Sequence, residues 1–301
     1  MKSRISVIIV AWNAEAFLGQ CLASVFAQTG VDCEVIVVDN HSQDTTPEIL
    51  KSYQDRLLLI KNDANRGFCA ANNQGISRAT GELILTLNSD VILAPDYARL
   101  LQRFLVDHPN TAMAQGKLLR FDGVTIDSLG LALSAAKRLF DSNAGEPDGE
   151  RFNQPREIFG PCAAAALYRR DALEAVHDRH GYFDERFFFL AEDFDLAWRI
   201  RNQGGRAWYV PQAQARHFRH SAAHGSAYKQ YLAFRNRYFM ILKNANVRDV
   251  ITMVPGMFWY DLPRLVYFLG TNSYATKALR EVGECLRKQG AWHAEAADES
   301  A

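Results

Sequence analysis

ISVIIVAWN, residues 5 to 13, decides how the rest of the chain is read. Its first six residues lack the polar–apolar alternation of a half-exposed strand and suit one covered on both faces. Three more runs of this kind follow, EVIVV at 34–38, LLLI at 57–60 and LILTL at 83–87. Segments at about 15–28, 44–54, 67–79 and 95–107 between and after them have helical character. This alternation predicts a parallel, doubly wound, Rossmann-like α/β sheet. Such sheets bind ligands beyond the carboxyl ends of their strands, so Trp12-Asn13, Asp39-Asn40 and Asn88-Ser89-Asp90 are expected to converge on one crevice.

The composition is that of an ordinary globular protein, with 48% apolar and 23% charged residues in a chain of 301. Lys+Arg and Asp+Glu both number 34, so net charge gives no reason to expect nucleic acid as a partner. Cys21, Cys33, Cys69, Cys162 and Cys285 are scattered and never form CxxC, which argues against a disulfide framework or a zinc ribbon and fits a reducing cytoplasm. The N-terminal apolar run is too short for a signal peptide and reads as a first buried strand.

Several groups of residues can carry chemistry. Asp39 ends a strand before a polar turn, where it can accept a hydrogen bond from a uracil or thymine N–H or a ribose hydroxyl; the alternative is a helix-capping turn using Ser42 or Asp44. NRGFCAANNQGI, residues 65–76, contains Gly67, which permits close backbone approach, ahead of a helix whose N-terminus suits a phosphate. Arg66 would meet a diphosphate there or simply be solvated, and a capped helix packed on the sheet explains the stretch equally well. In LILTLNSDV, Asp90 can ligate Mg²⁺ or Mn²⁺, while Asn88 offers an amide oxygen or a hydrogen bond to a sugar; a strand-end turn is the alternative.

The stretch from Phe183 to His217, FDERFFFLAEDFDLAWRIRNQGGRAWYVPQAQARH, sets Glu192, Asp193 and Asp195 among aromatic and aliphatic residues. Asp195 and Arg199 are four apart, which suits a surface helix pair, and Glu192 and Asp193 suit a helix start. Neither explains the surrounding Phe187, Phe188, Phe189, Phe194 and Trp198, whose apolar character raises a carboxyl pKa and prepares it to accept a proton. His217 with His220 and His224 spells H-x2-H-x3-H, a zinc spacing; a lone neutral His217 joining a carboxylate-bound Mn²⁺ is the competing reading.

Taken in order, SVIIVAWN, EVIVVDNHSQDTT, NRGFCAANNQGI, LNSDV, GPCAAAALYRRDAL and the 183–217 stretch resemble the family-2 inverting glycosyltransferases, which have a GT-A fold, over about residues 3–225. NRGFCAANN and LNSD look most like bacterial rhamnosyltransferases of cell-surface polysaccharide synthesis. The resemblance implies a GT-A domain and Mg²⁺ or Mn²⁺ as cofactor; the change to aromatic and basic helical pattern after about 226 places the domain boundary near 225, giving 1–225 and a helical segment over 226–301 that associates with a membrane or forms a homodimer. It implies Asp193 as general base, with Glu192 beside it orienting the acceptor or a sugar hydroxyl. Asp39 would contact the nucleotide base, and Asp90 and His217 would hold the cation or diphosphate. Trp12, Asn13, Asn65, Arg66, Gly67, Asn73, Asn88 and Ser89 would surround the donor. The family's commonest metal motif begins with Asp where this chain has Asn88.

The implied reaction moves rhamnose from dTDP-rhamnose, or a sugar from another dTDP- or UDP-sugar, to a hydroxyl of a glycan or lipid-linked acceptor, with inversion. The implied location is the cytoplasmic face of the inner membrane. A silent nucleotide- or carbohydrate-binding module is a competing class. A sugar nucleotidyltransferase is another, disfavoured because no N-terminal Gly-rich phosphate loop is present. About 120–157, rich in Gly, Asp, Asn and Pro, is expected as a long surface loop with one or two strands. Val250 to Tyr260 gives about eleven uncharged residues, short of the roughly 20 that span a bilayer. Phe258, Trp259, Tyr260, Tyr267 and Phe268, with Arg235, Arg237, Lys243, Arg248 and Arg264, suit an interfacial helix on anionic lipid, a packed helical cap or a dimer interface.

Overall fold

A computed structural model describes residues 3–219 and 224–298, with side chains to Arg287. The N-terminal part alternates β1 (Ile5–Ala11), α1 (Leu18–Phe26), β2 (Cys33–Asp39), α2 (Thr46–Lys51), β3 (Leu58–Lys61), α3 (Gly67–Arg78) and β4 (Leu83–Asn88), then runs through β5 (Val91–Leu93), α4 (Tyr97–Asp107) and β6 (Thr111–Arg120). Next come β7 (Ile126–Ser128), β8 (Leu131–Leu133), β9 (Leu139–Asp141), β10 (Arg156–Ile158), β11 (Ala165–Arg169), α5 (Arg170–Glu174), α6 (Glu192–Asn202) and β12 (Arg206–His217). The chain continues with α7 (Ser226–Asn244), α8 (Val247–Gly256), a π-helical turn over Met257–Asp261, α9 (Leu262–Thr271) and α10 (Ala275–Asp298).

Among the described residues one sheet of ten strands runs β10-β12-β6-β11-β4-β1-β2-β3, with β5 on β12 and β7 on β6. Strands β4, β1, β2 and β3 are mutually parallel, β6 and β12 are parallel, and β11 is antiparallel between β4 and β6. The unalternating apolar runs have the expected cause. Ile8, Ile36 and Ile84 enter one core, while Val7, Ile9, Val35, Val37 and Leu85 enter the core on the other face. Both faces of the sheet therefore exclude water, as a doubly wound sheet requires.

Two expectations need correction. The 120–157 region is not a loop with one or two strands: it carries β7, β8, β9 and the start of β10, and β8 pairs with β9 as a separate hairpin. Asp195 and Arg199 are not a surface pair. Asp195 is 0% exposed and accepts from Arg199 Nε at 2.9 Å and Asn244 Nδ2 at 2.8 Å, with Lys243 Nζ at 3.4 Å. The i,i+4 spacing is the same for a buried pair and a solvated one, and here the face of α6 that carries it is pressed against α7. Lys243 also reaches Asp184 at 2.7 Å, which further holds Arg186 at 2.5 Å.

Burial works against the charge on Asp184, but Arg186 and Lys243 outweigh it and hold the carboxyl well below its usual range. A carboxyl with a depressed folded pKa contributes stability above its unfolded value of about 3.9, and that contribution is lost as pH falls below it. The urea midpoint of the wild-type protein should therefore drop more between about pH 5 and about pH 3 than that of Asp184→Asn. Parallel profiles would remove this ion pair from the account of acid stability.

Candidate active site

The carboxyl ends of β1 and β4 open into a cleft of about 740 Å³, lined among others by Trp12, Asn13, Asn40, Asn65, Gly67, Asn88, Ser89, Asp90, Glu192, Asp193 and His217. The expected crevice is present because parallel strands end together while their connections diverge to opposite faces. Asn13 has φ 49° and ties β1 to the next turn: its N–H donates to Ser42 Oγ at 3.0 Å and its Oδ1 accepts from Gln43 N at 2.8 Å. Asn65 Oδ1 accepts from Gly67 N and from Asn40 Nδ2, both at 2.9 Å. Gly67 has φ 84°, and a Cβ there would lie 2.4 Å from the Phe188 ring, so glycine is required both for the turn and for the aromatic loop that crosses it.

Three expected donor residues do not line the cleft. Asp39 is 6% exposed and accepts from Ser42 N at 3.0 Å. Arg66 pairs at the surface with Asp63 at 3.0 Å. Asn73 donates to Phe183 O at 2.7 Å and accepts from Phe183 N at 2.9 Å, so it anchors the acidic stretch from behind.

Sheet register brings Asp90 to His217. β5 pairs with the end of β12 so that Val91 faces His217, and Asp90, just before β5, sits with Oδ1 3.3 Å from His217 Nε2. The imidazole Nδ1 is 2.8 Å from Asp127 Oδ2. Asp127 occupies the register break where Leu118 pairs with Ser128 but Leu119 pairs with Ile126, and a break of this kind re-aims a side chain. Asp127 is 1% exposed and also binds Arg219, whose Nη2 reaches Asp141 at 2.6 Å. Burial alone would lower the His217 pKa, but hydrogen bonds to Asp127 and Asp90 outweigh it and push it up to about 9.

Glu192 and Asp193 begin α6. Glu192 is 8% exposed, and its Oε2 is buried without a hydrogen-bond partner. Asp193 accepts from Phe194 N at 2.9 Å and from Ala163 N at 3.4 Å. Burial, joined by the charge of Asp193 for Glu192 and of Asp141 for Asp193, raises both carboxyls above the ordinary range. The wall between this pair and Trp12 is aromatic: His224 stacks on Trp12 at 4.9 Å and on Phe189 at 4.8 Å. His217 and His224 are thus engaged differently, and His220, the middle residue of the zinc spacing, lies outside the described residues.

No group of three or more His, Cys, Asp and Glu side chains able to hold a metal ion is present among the described residues. The Asp90–His217 pair still fits a hard divalent cation that takes its remaining ligands from a diphosphate and water. Asp127 accepting from Nδ1–H would fix the tautomer that frees Nε2 for coordination.

Sequence reasoning missed Asp127, Asp141, Arg219 and Asn236. Asn236 Nδ2 lies 2.9, 2.9 and 2.7 Å from the carbonyls of Phe187, Phe189 and Leu190. A carboxylate within the short apolar run TIDSLGLAL was the one signal available for Asp127.

Residues 6–176, more than half of the chain, match the family model described as Glycosyl transferase family 2. The putative glycosyltransferase EpsE of Bacillus subtilis (strain 168) is 31% identical over 214 residues, 70% of this chain and 71% of EpsE. Succinoglycan biosynthesis protein ExoO of Rhizobium meliloti (strain 1021) is 33% identical over 136 residues, 45% of this chain. The chain spans only 38% of ExoO's length by that match. S. aureus TarS 1-349 superimposes with TM-score 0.62 at 18% identity, over 95% of this chain and 82% of that one, a likeness of fold that places the sheet among GT-A structures. By the match over its N-terminal half and the extent of its likeness to EpsE, the chain belongs to glycosyl transferase family 2.

Proposed function

We propose that this chain is an inverting glycosyltransferase moving a sugar from a nucleoside diphosphate donor to a hydroxyl of a glycan or lipid-linked acceptor in polysaccharide assembly. The observation that carries the reading is the buried Glu192–Asp193 pair sharing one cleft with Asp90 and His217. A silent binding module would have no use for two carboxyls held at raised pKa, one with an unpartnered buried oxygen.

In the proposed reaction the acceptor hydroxyl gives its proton to the Asp193 carboxylate as its oxygen attacks the anomeric carbon. The carbon–oxygen bond to the diphosphate breaks, and that electron pair leaves with the phosphate. Attack opposite the leaving group inverts the anomeric centre. Glu192, beside the base, orients the acceptor or a sugar hydroxyl. Asn13, Asn65 and the Gly67 turn border the space for the nucleotide, and Trp12 gives a flat apolar wall. Asp90 and His217 would hold Mg²⁺ or Mn²⁺, whose charge stabilises the departing diphosphate when it is bound.

The resemblance of NRGFCAANN and LNSD favours dTDP-rhamnose as donor. A UDP-sugar is the second reading, supported by TarS, whose structures include complexes with UDP and with UDP-GlcNAc. Calorimetric titration with dTDP, UDP and GDP, each with Mn²⁺ and then EDTA, separates the two. Metal-dependent preference for dTDP is expected, preference for UDP would change the donor, and binding of none would remove the transferase reading.

Asp193→Asn should lower kcat by about 10²–10⁴-fold while leaving nucleotide affinity nearly intact, since the base acts in the transition state. An equal loss of affinity would count against that role. Because the base works only when ionised, wild-type kcat/KM should rise with pH through an apparent pKa above the usual carboxylate range. A limb centred on the ordinary Asp value of about 3.9 would contradict the buried pair. Asp127→Asn should weaken Mn²⁺-dependent nucleotide binding by about 10–100-fold and leave binding in EDTA unchanged; equal loss in both conditions would make Asp127 merely structural.

A further inference from the structure

The outward face of α8, the π-helical turn and α9 is apolar along its length. Ile251, Phe258, Leu262, Val266 and Tyr267 are each more than half exposed, and Trp259 is 87% exposed. From Val250 to Thr271 every exposed residue is uncharged. Of the two charged residues within that span, one is buried and the other partly buried. Asp261 is 7% exposed and pairs with Arg237 Nη1 at 2.6 Å, and Arg264 donates to Tyr260 OH at 3.1 Å. A helical cap packed into the core would bury these side chains, so that reading of the segment does not hold for this face.

Cations flank the face. Arg248 is exposed at its start, and the exposed Arg138 lies over the Tyr260 ring at 4.4 Å. The carboxylate at that end, Asp249, is already paired with Lys137 at 2.6 Å. Two copies of the chain meeting symmetrically on this face would bring like-charged rims together, whereas anionic headgroups complement them. No helix among the described residues is long and apolar enough to cross a membrane, and the inward side holds the buried Arg237–Asp261 pair, so this segment suits lying in an interface.

We propose that this face docks on an anionic lipid bilayer, with Phe258, Trp259 and Tyr267 seated at headgroup level and Arg138 and Arg248 over lipid phosphates. The docked face is braced to the cleft. Arg237 donates to Ala136 O and Lys137 O, in the turn between β8 and β9, and Asp141 at the end of β9 holds Arg219 on the cleft wall. Lipid docking would therefore fix the orientation of the cleft toward a membrane-borne acceptor. The docking itself does not depend on which reaction the cleft performs.

The test is co-sedimentation of the full chain with vesicles of phosphatidylcholine, alone or mixed with phosphatidylglycerol, beside analytical ultracentrifugation without lipid. The expected result is pelleting with the anionic vesicles, weakened by salt. A Phe258→Ser/Trp259→Ser/Tyr267→Ser variant should lose about tenfold or more in lipid affinity while keeping its thermal unfolding midpoint and nucleotide binding. Arg138→Ser/Arg248→Ser should lose the preference for anionic over neutral vesicles. Wild-type protein remaining in the supernatant with both vesicles would overturn the proposal, as would a triple variant that pellets like wild type. A lipid-free dimer abolished by the triple variant, without vesicle binding, would assign the face to a second copy of the chain instead.

Discussion

The cleft depends on a short run of backbone that ordinary residues avoid. Phe188, Leu190 and Ala191 have φ of 66°, 71° and 69°, the left-handed region that costs a non-glycine residue of order 1–3 kcal/mol when it is enforced. Asn236 enforces it by placing one amide against three carbonyls of the run, and Arg235 adds a bond to Arg186 O at 2.7 Å. This turn delivers the chain into α6 with Glu192 and Asp193 facing the cleft instead of the core. It also lays the Phe188 ring over Gly67, so the Gly67 turn and the acidic helix fix one another. The same residues that raise the carboxyl pKa values are thus the ones that exclude water from them.

Helix α7 serves the site although it contributes no side chain of its own to the proposed chemistry. Asn236 and Arg235 hold the loop before α6, and Lys243 and Asn244 hold Asp184 and Asp195 on either side of it. A buried carboxylate such as Asp195 is costly unless its lone pairs are satisfied. Arg199 and Asn244 satisfy it while joining two helices, so α6 cannot rotate about its axis without exposing an unpaired charge.

The β-α alternation was legible because it follows from burial on both faces, a property written locally as unbroken apolar runs. The acidic stretch was legible for the opposite reason: carboxylates among phenylalanines contradict local solvation and call for a cause. What could not be read were side chains whose partners are remote. Asp127 lies 90 residues from His217 in sequence, and its aim depends on a register break that leaves no compositional mark. Asn236 sits among aromatic and basic residues that describe a helix equally well with or without a loop to hold. Asp39 and Asn73 were readable as polar residues near strand and helix ends, but their orientation is set by Ser42 and Phe183, which local patterning does not specify.

Asn88 gains meaning from the charges around it. With Asn at position 88, the strand end carries a single carboxylate, Asp90, and the second negative charge near His217 comes from Asp127 on a different strand. Arg219 offsets part of that charge and is itself shared with Asp141, the group that also presses on Asp193. The proposed cation side and the proposed base side are therefore electrostatically continuous through Arg219. Asp127 is buried, but Arg219 is exposed and Asp141 only partly buried, so solvent screens much of what a charge gained or lost beside Asp90 would do at Asp193. Negative charge at His217 is thus drawn by register from two places, the turn before β5 and strand β7, instead of from one turn.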